Sequence, residues 1–261
     1  TEAVCALHAI GSPGGSRASI AAAVRQLVER QALVEISNAG RVTERYHEAT
    51  KLMPGDRSAS TGSESRGSAP PSTPSTSLPE PSSPAMTLEA AIDIRRSSEA
   101  FSTLPVQLAD LSFVLQMAAS NDALRRTQGV RLFAVVHRVA GLEPGVYEYI
   151  PSAHGLALLR GGALVGPMLK AVRQKLAGTA AVGLVMAAQL SGGASPLGER
   201  WYRDLLLESG AVAQRIYLAA ESAGLAARNL AAFVDDHFNE KLELTRLGLS
   251  ALHLTAIGNG N

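Results

Sequence analysis

The chain has little cysteine, few aromatic residues and almost no net charge. Cys5 is its one cysteine, so no intramolecular disulfide and no CxxC metal or redox pair can form, a composition suited to a reducing cytoplasm. No apolar run approaches the roughly 18 residues that a membrane span needs. A formal net charge of +1 provides no field for steering nucleic acid or an anionic membrane. The six histidines, His8, His47, His137, His154, His237 and His253, show no HxH, HxxxH or HExxH spacing, so no metal site is expected. Aromatic residues make up only 4 %, which leaves Ala, Leu and Val to build a core of closely packed helices. The first residue is Thr1, with no signal-type leader behind it, and the chain reads as a piece of a longer protein.

What is present divides in three. Residues 54–86 are rich in Ser, Thr, Gly and Pro, with six of the thirteen prolines between Pro70 and Pro84. Such a stretch buries too little apolar surface to offset the entropy of ordering it, and it reads as a flexible linker. Before it, in residues 1–53, Ser16 can cap a helix with Ile20, Val24, Leu27 and Val28 on one face, and Gln31 to Ile36 follow as a short strand. That helix and strand look like half of a winged-helix module. Two readings stay open for it: a docking domain for a peptide or DNA, or a small packing domain at the edge of a larger fold.

After the linker, residues 87–261 alternate helix and strand. Thr87 caps a helix that places Leu88, Ala91, Ile92 and Arg95 on one face, so Arg95 needs a partner. Leu108, Leu111, Leu115 and Ala118 mark a second helix. Val130 to Val139 is β-branched and aromatic, and the turn from Gly141 to Gly145 returns it into Val146–Ile150 as an antiparallel hairpin. A helix is expected over Val165–Leu176. The nearly all-apolar run Ala180–Ala188 predicts a central strand covered on both faces. From about Arg203 to Ala223 a helix carries so few polar residues that it should be buried nearly all round, as a central or interface helix. Ala251–Ile257 forms the last strand.

The sharpest candidate site is Arg95-Arg96-Ser97 at the end of the first of these helices. Two guanidinium forks and a hydroxyl suit a phosphate monoester, which is a dianion with several acceptor oxygens. The bland alternative is a basic helix end complementing the dipole. Asp235-Asp236-His237 reads as the acidic first turn of a helix after Phe233. Ser12 to Ser16 lacks the lysine of a phosphate loop and reads as a turn.

Three segments carry a resemblance. "AAIDIRRSSEAFS" resembles the N-terminal FMN-binding motif of the nitroreductase family. "GLEPGVYEYIPSAHGLALLRGG" and "GERWYRDLLLESGAVAQRIYLAAESAGLAARNLAAF" resemble its SagB-type branch, flavin dehydrogenases that oxidise azolines to thiazoles and oxazoles in ribosomal peptide maturation. Together they run from about Leu88 to Gly258. The resemblance implies an α+β fold, a nitroreductase-like antiparallel or mixed sheet flanked by helices, beside the small winged-helix-like module. It implies FMN as cofactor, with Arg95, Arg96 and Ser97 meeting the ribityl phosphate and pyrimidine edge. Ala231 and Ala232 would offer backbone N–H groups to the flavin ring. It also implies a homodimer built on the helix around Gln214, with a flavin pocket shared between the subunits.

The departures from the family pattern are specific. Glu99 replaces a basic residue and sets a carboxylate near the expected phosphate. "SNDALRRTQG" replaces the loop that cradles the flavin. Pro196 and Leu197 stand where azoline oxidisers have a Lys-Tyr pair, which removes the obvious agent of proton abstraction. Arg200 and Tyr202 are the nearest polar substitutes. Two functions follow: an FMN-dependent dehydrogenase acting on a peptide or another bulky substrate, or a flavin-free scaffold that recruits a peptide or a partner biosynthetic enzyme. A third, DNA regulation through residues 1–50, rests on the helix and strand alone.

Overall fold

In the computed structural model the described residues are 73–81, 84, 86–120, 130–164, 171–172, 175–190, 200–230 and 232–260. The winged-helix-like module lies outside them. So do Ala231, Pro196, Leu197, most of the loop that replaces the flavin cradle, and most of the helix expected over Val165–Leu176.

A seven-stranded antiparallel sheet organises the described part. Its strands are β1 (Thr76–Ser77), β3 (Arg131–Val136), β5 (Gly145–Ile150), β6 (Gly155–Gly161), β7 (Val182–Ala188), β8 (Ala226–Leu230) and β9 (Ser250–Gly258), in the order β1-β6-β5-β3-β7-β9-β8. Two short strands, β2 (Val106–Gln107) and β4 (Val139–Ala140), pair in parallel beside it. The hairpin of β3 and β5 is antiparallel as expected, with Phe133 opposite Glu148 and Val136 opposite Gly145. Gly141, with φ of +79°, turns the chain between them in a conformation that suits glycine.

Helices α1 (Leu88–Ile94), α2 (Leu108–Ala118), α3 (Arg200–Ser222) and α4 (Asp235–Lys241) complete the architecture. On one face of the sheet Leu132, Ala134, Leu184 and Met186 join Leu111, Leu115, Val212 and Ile216 from α2 and α3 in one core. On the other, Phe133, Val135, Val185 and Leu254 pack with Phe238, Leu242 and Leu244. Every residue of β7 is buried, which bears out the two-sided burial read from its apolar run. Glu148, inside the hairpin, is held by Arg131, Nε to Oε1 at 2.6 Å.

Three expectations need correction. The end of the Ser/Pro-rich segment is part of the fold: Thr76 and Ser77 pair with Leu156 and Gly155, Leu78 is buried, and the Ser112 hydroxyl donates to the Pro79 carbonyl at 2.6 Å. An edge strand that exposes few donors tolerates such prolines, so composition alone did not exclude it. Helix α1 is capped by the Thr87 hydroxyl, which accepts from the Ala90 N–H, yet only Ala91 of its apolar face is buried; Leu88 is 61 % and Ile92 55 % exposed. Likewise α3 is not enclosed all round in the single chain, for Leu207 is 66 % exposed and Leu206, Ala211 and Gln214 also face outward. The apolar periodicity was real, but the described residues do not cover it.

His137, in the turn after β3, is 8 % exposed, and neither ring nitrogen has a hydrogen-bond partner among the described residues. Burial, aided by the neighbouring Arg138 charge, pushes its pKa down to about 4. The unfolded chain takes up that proton near 6.5 and the folded chain does not until about 4. Stability from this residue is therefore present above 6.5 and lost as pH falls through that window, by on the order of 3 kcal/mol in full. Burial of His253 lowers its pKa and acts in the same direction. Urea midpoints measured from pH 7 to pH 5 should fall, and His137→Asn should flatten the fall; an equally steep profile in that variant would reject the assignment.

Candidate functional site

The end of α1 is captured by the edge of the sheet. Arg95 is the C-cap, its N–H bonded to the Ala91 carbonyl at 3.1 Å, and its backbone then turns extended. Ser97 forms a parallel bridge with Ala227 of β8, and the Ser98 N–H donates to the Ala227 carbonyl at 2.9 Å. Arg228 secures the segment from the sheet side, with Nη1 donating to the Ser98 carbonyl at 2.9 Å. The sheet's free edge thus supplies the donors and acceptors that end the helix.

Arg95 and Ser97 converge on Tyr217 of α3. The Arg95 guanidinium carbon lies 4.9 Å from the centroid of the Tyr217 ring, a cation–π stack, and Arg95 is half-buried. Among the described residues that guanidinium makes no hydrogen bond or ion pair. Ser97 Oγ is 3.0 Å from Tyr217 Oη, and the Asn229 N–H donates to the same Oη at 2.7 Å. Behind them the buried Thr255 hydroxyl donates to Asn229 Oδ1 at 2.7 Å. Arg96 points elsewhere: its Nη1 donates to the Asp93 and Arg95 carbonyls, both at 2.8 Å. In this conformation Arg96 takes the bland role, a cation on the last carbonyls of a helix. Glu99 is exposed.

The other described candidate residues lie further along β8 and at the start of α3. After α3 the chain reverses, with Gly224 at φ of +72°, and β8 runs back against the helix. From Ala227, beside Ser97, to Leu230 the strand advances about 10 Å, and exposed Ala232 follows shortly after. Phe233 anchors that end by stacking on Phe238, ring centroids 4.7 Å apart, while the Val234 N–H donates to the Ala171 carbonyl. Asp235 and Asp236 occupy the first turn of α4 as expected. Arg200 begins α3, and Tyr202, 37 % exposed, stands about 22 Å along the helix from Tyr217. The structure brings Arg95 and Ser97 together, and it leaves Tyr202 far from them.

Sequence reasoning missed Tyr217, Arg228, Asn229 and Thr255. Only Tyr217 had a legible signal, a phenol inside an otherwise apolar helical stretch whose hydroxyl needs a partner once buried. Among the described residues no group of three His, Cys, Asp or Glu could hold a metal ion, and no helix is long and apolar enough to cross a membrane.

Over residues 92–258 the sequence matches the nitroreductase family. A Methanocaldococcus jannaschii protein described as a nitroreductase is 30 % identical over 167 residues, covering 60 % of this chain and 84 % of that protein. A structure described as a nitroreductase from Anabaena variabilis superposes with a TM-score of 0.68 at 23 % identity. It covers 85 % of this chain and 48 % of its own, so the chain spans about half the length of that relative. The Escherichia coli microcin synthetase McbBCD, solved with truncated pro-MccB17 bound, superposes with a TM-score of 0.52 at 15 % identity, over 90 % of this chain and 97 % of that one. At such identities the likeness of the structures speaks for the fold alone.

Asn229 should matter through its side chain as well as its N–H. Asn229→Ala strips the buried Thr255 hydroxyl of its acceptor and is expected to cost about 1–2 kcal/mol in urea unfolding. An unchanged midpoint would show that another acceptor serves Thr255.

Proposed function

The chain belongs to the nitroreductase family, and on that premise we propose that it is an FMN-dependent oxidoreductase whose homodimer acts on a peptide substrate. One observation carries the reading: Arg95 lies over the Tyr217 ring, its guanidinium without a hydrogen bond or ion pair among the described residues, and Ser97 shares a hydrogen bond with the same tyrosine. That donor set fits a phosphate ester, since a guanidinium fork pairs with two oxygens and a hydroxyl with a third. From this grip β8 runs on toward Ala232, where the family resemblance puts backbone N–H groups against a flavin ring. When bound, FMN would supply the hydride chemistry; the chain supplies grip, orientation and electrostatics.

The exposed apolar faces support the dimer. Leu88, Ile92 and Ile94 on α1, with Leu206 and Leu207 on α3, lie bare on two helices that pack against each other. Large exposed apolar surface of this kind marks an interaction face, and the resemblance assigns that face to a second copy around Gln214. For the substrate class the support is analogy: the microcin synthetase that shares the fold was solved with pro-MccB17 bound. Oxidation of an azoline would then need a proton acceptor other than the Lys-Tyr pair that Pro196 and Leu197 replace; Arg200 and Tyr202, the polar residues nearest those positions, are weak candidates for a part in that chemistry.

A second reading is favoured by Arg96, turned back onto its own helix end, and by Glu99, Pro196 and Leu197. On it the chain is a scaffold without flavin that holds a peptide or a partner enzyme. Reconstitution separates the two. Purified protein mixed with FMN and then freed of unbound flavin by gel filtration should keep the visible flavin spectrum, and Arg95→Ala should weaken binding about 30-fold. A featureless protein fraction after that step would leave the scaffold. For the dimer, Leu207→Glu is expected to give a monomer in sedimentation, whereas a wild-type protein that already sediments as a monomer would remove the shared pocket.

A further inference from the structure

Tyr217 has a part in the grip that neither the family pattern nor the motif assigns. Its hydroxyl carries one hydrogen and two lone pairs. One lone pair accepts the Asn229 N–H at 2.7 Å, a backbone donor on β8 whose direction cannot reverse. The phenol hydrogen then needs an acceptor, and among the described residues Ser97 Oγ at 3.0 Å is the one within reach. With Tyr217 donating, the hydrogen of the exposed Ser97 is left for a ligand, which makes Ser97 a donor toward it. At the same time the ring holds the Arg95 guanidinium over its face, the central carbon 4.9 Å from the centroid, which leaves the N–H groups for an oxyanion. Tyr217 is 5 % exposed and fixed from two elements, so both effects are set before a ligand arrives.

We propose that Tyr217 is the positioning residue that makes the Arg95–Ser97 pair selective for the phosphorylated form of the flavin over the phosphate-free one. The proposal rests on the flavin reading above. It assigns the selectivity to a residue that itself touches no phosphate, acting through the polarity of one hydroxyl and the plane of one guanidinium.

Dissociation constants for FMN and riboflavin, measured by quenching of flavin fluorescence on the full chain, test it. Wild type should prefer FMN. Tyr217→Phe keeps the ring and removes the hydroxyl, and should weaken FMN about tenfold with riboflavin unchanged. Tyr217→Leu, which also removes the stack, should weaken FMN further. Ser97→Ala reaches the same hydrogen bond from its other end and should reproduce the selective loss even where a Tyr217 variant fails to fold. Equal losses for FMN and riboflavin, or no loss in Tyr217→Phe, would overturn the assignment while leaving flavin binding intact. A wild type that binds neither flavin would instead sink the flavoprotein reading, and this inference with it.

Discussion

Burial of β7 on both faces is the constraint on which the arrangement of the polar groups depends. Val182, Leu184, Met186 and Ala188 face the core shared with α2 and α3, and Val185 and Ala187 face the core around Phe238. A polar group placed there would cost several kilocalories per mole unless fully bonded. The middle of the sheet is therefore closed to chemistry, and chemistry is displaced to its edge. Among the described residues the outer side of β8 carries no further main strand, and its backbone takes the segment after α1 instead.

That displacement explains why the candidate site is assembled from three distant stretches. Arg95 and Ser97 come from the end of α1, Tyr217 from the middle of α3, and Asn229 from β8. Each is fixed by an interaction that also stabilises the fold: a helix C-cap, a helix packed on a sheet, and a strand pairing. Tyr217 joins them, since one hydroxyl bonds both Ser97 and β8. The proposed grip is thus a by-product of how the helix end is tied to the edge, and its rigidity is that of the sheet.

The same logic separates the two arginines. Arg95 follows the last turn of α1 and leans on an aromatic face, which satisfies its charge without engaging its N–H edges. Arg96, one residue on, reaches the orphan carbonyls of the helix and is spent there. Adjacent residues of identical chemistry make different contacts because the chain leaves the helix between them. Nothing in the motif distinguishes them; the distinction arises where the backbone leaves its helical course at Arg95.

Much of the fold was legible in the chain itself. The apolar run of β7, the hairpin punctuated by Gly141 and Gly145, the Thr87 cap and the acidic start of α4 are local signals, each set by side-chain periodicity or backbone preference within a few residues. The Arg95-Arg96-Ser97 motif was legible as a candidate anion grip for the same reason. Tertiary structure alone decided what those signals meet. It drew Thr76 and Ser77 into the sheet edge, left the apolar faces of α1 and α3 uncovered by the described residues, and put Tyr217 and Asn229 beside Ser97, which lies 120 residues from Tyr217 in sequence. Contacts at such separations depend on strand order and on the direction of α3 over the sheet, which periodicity along the chain does not encode.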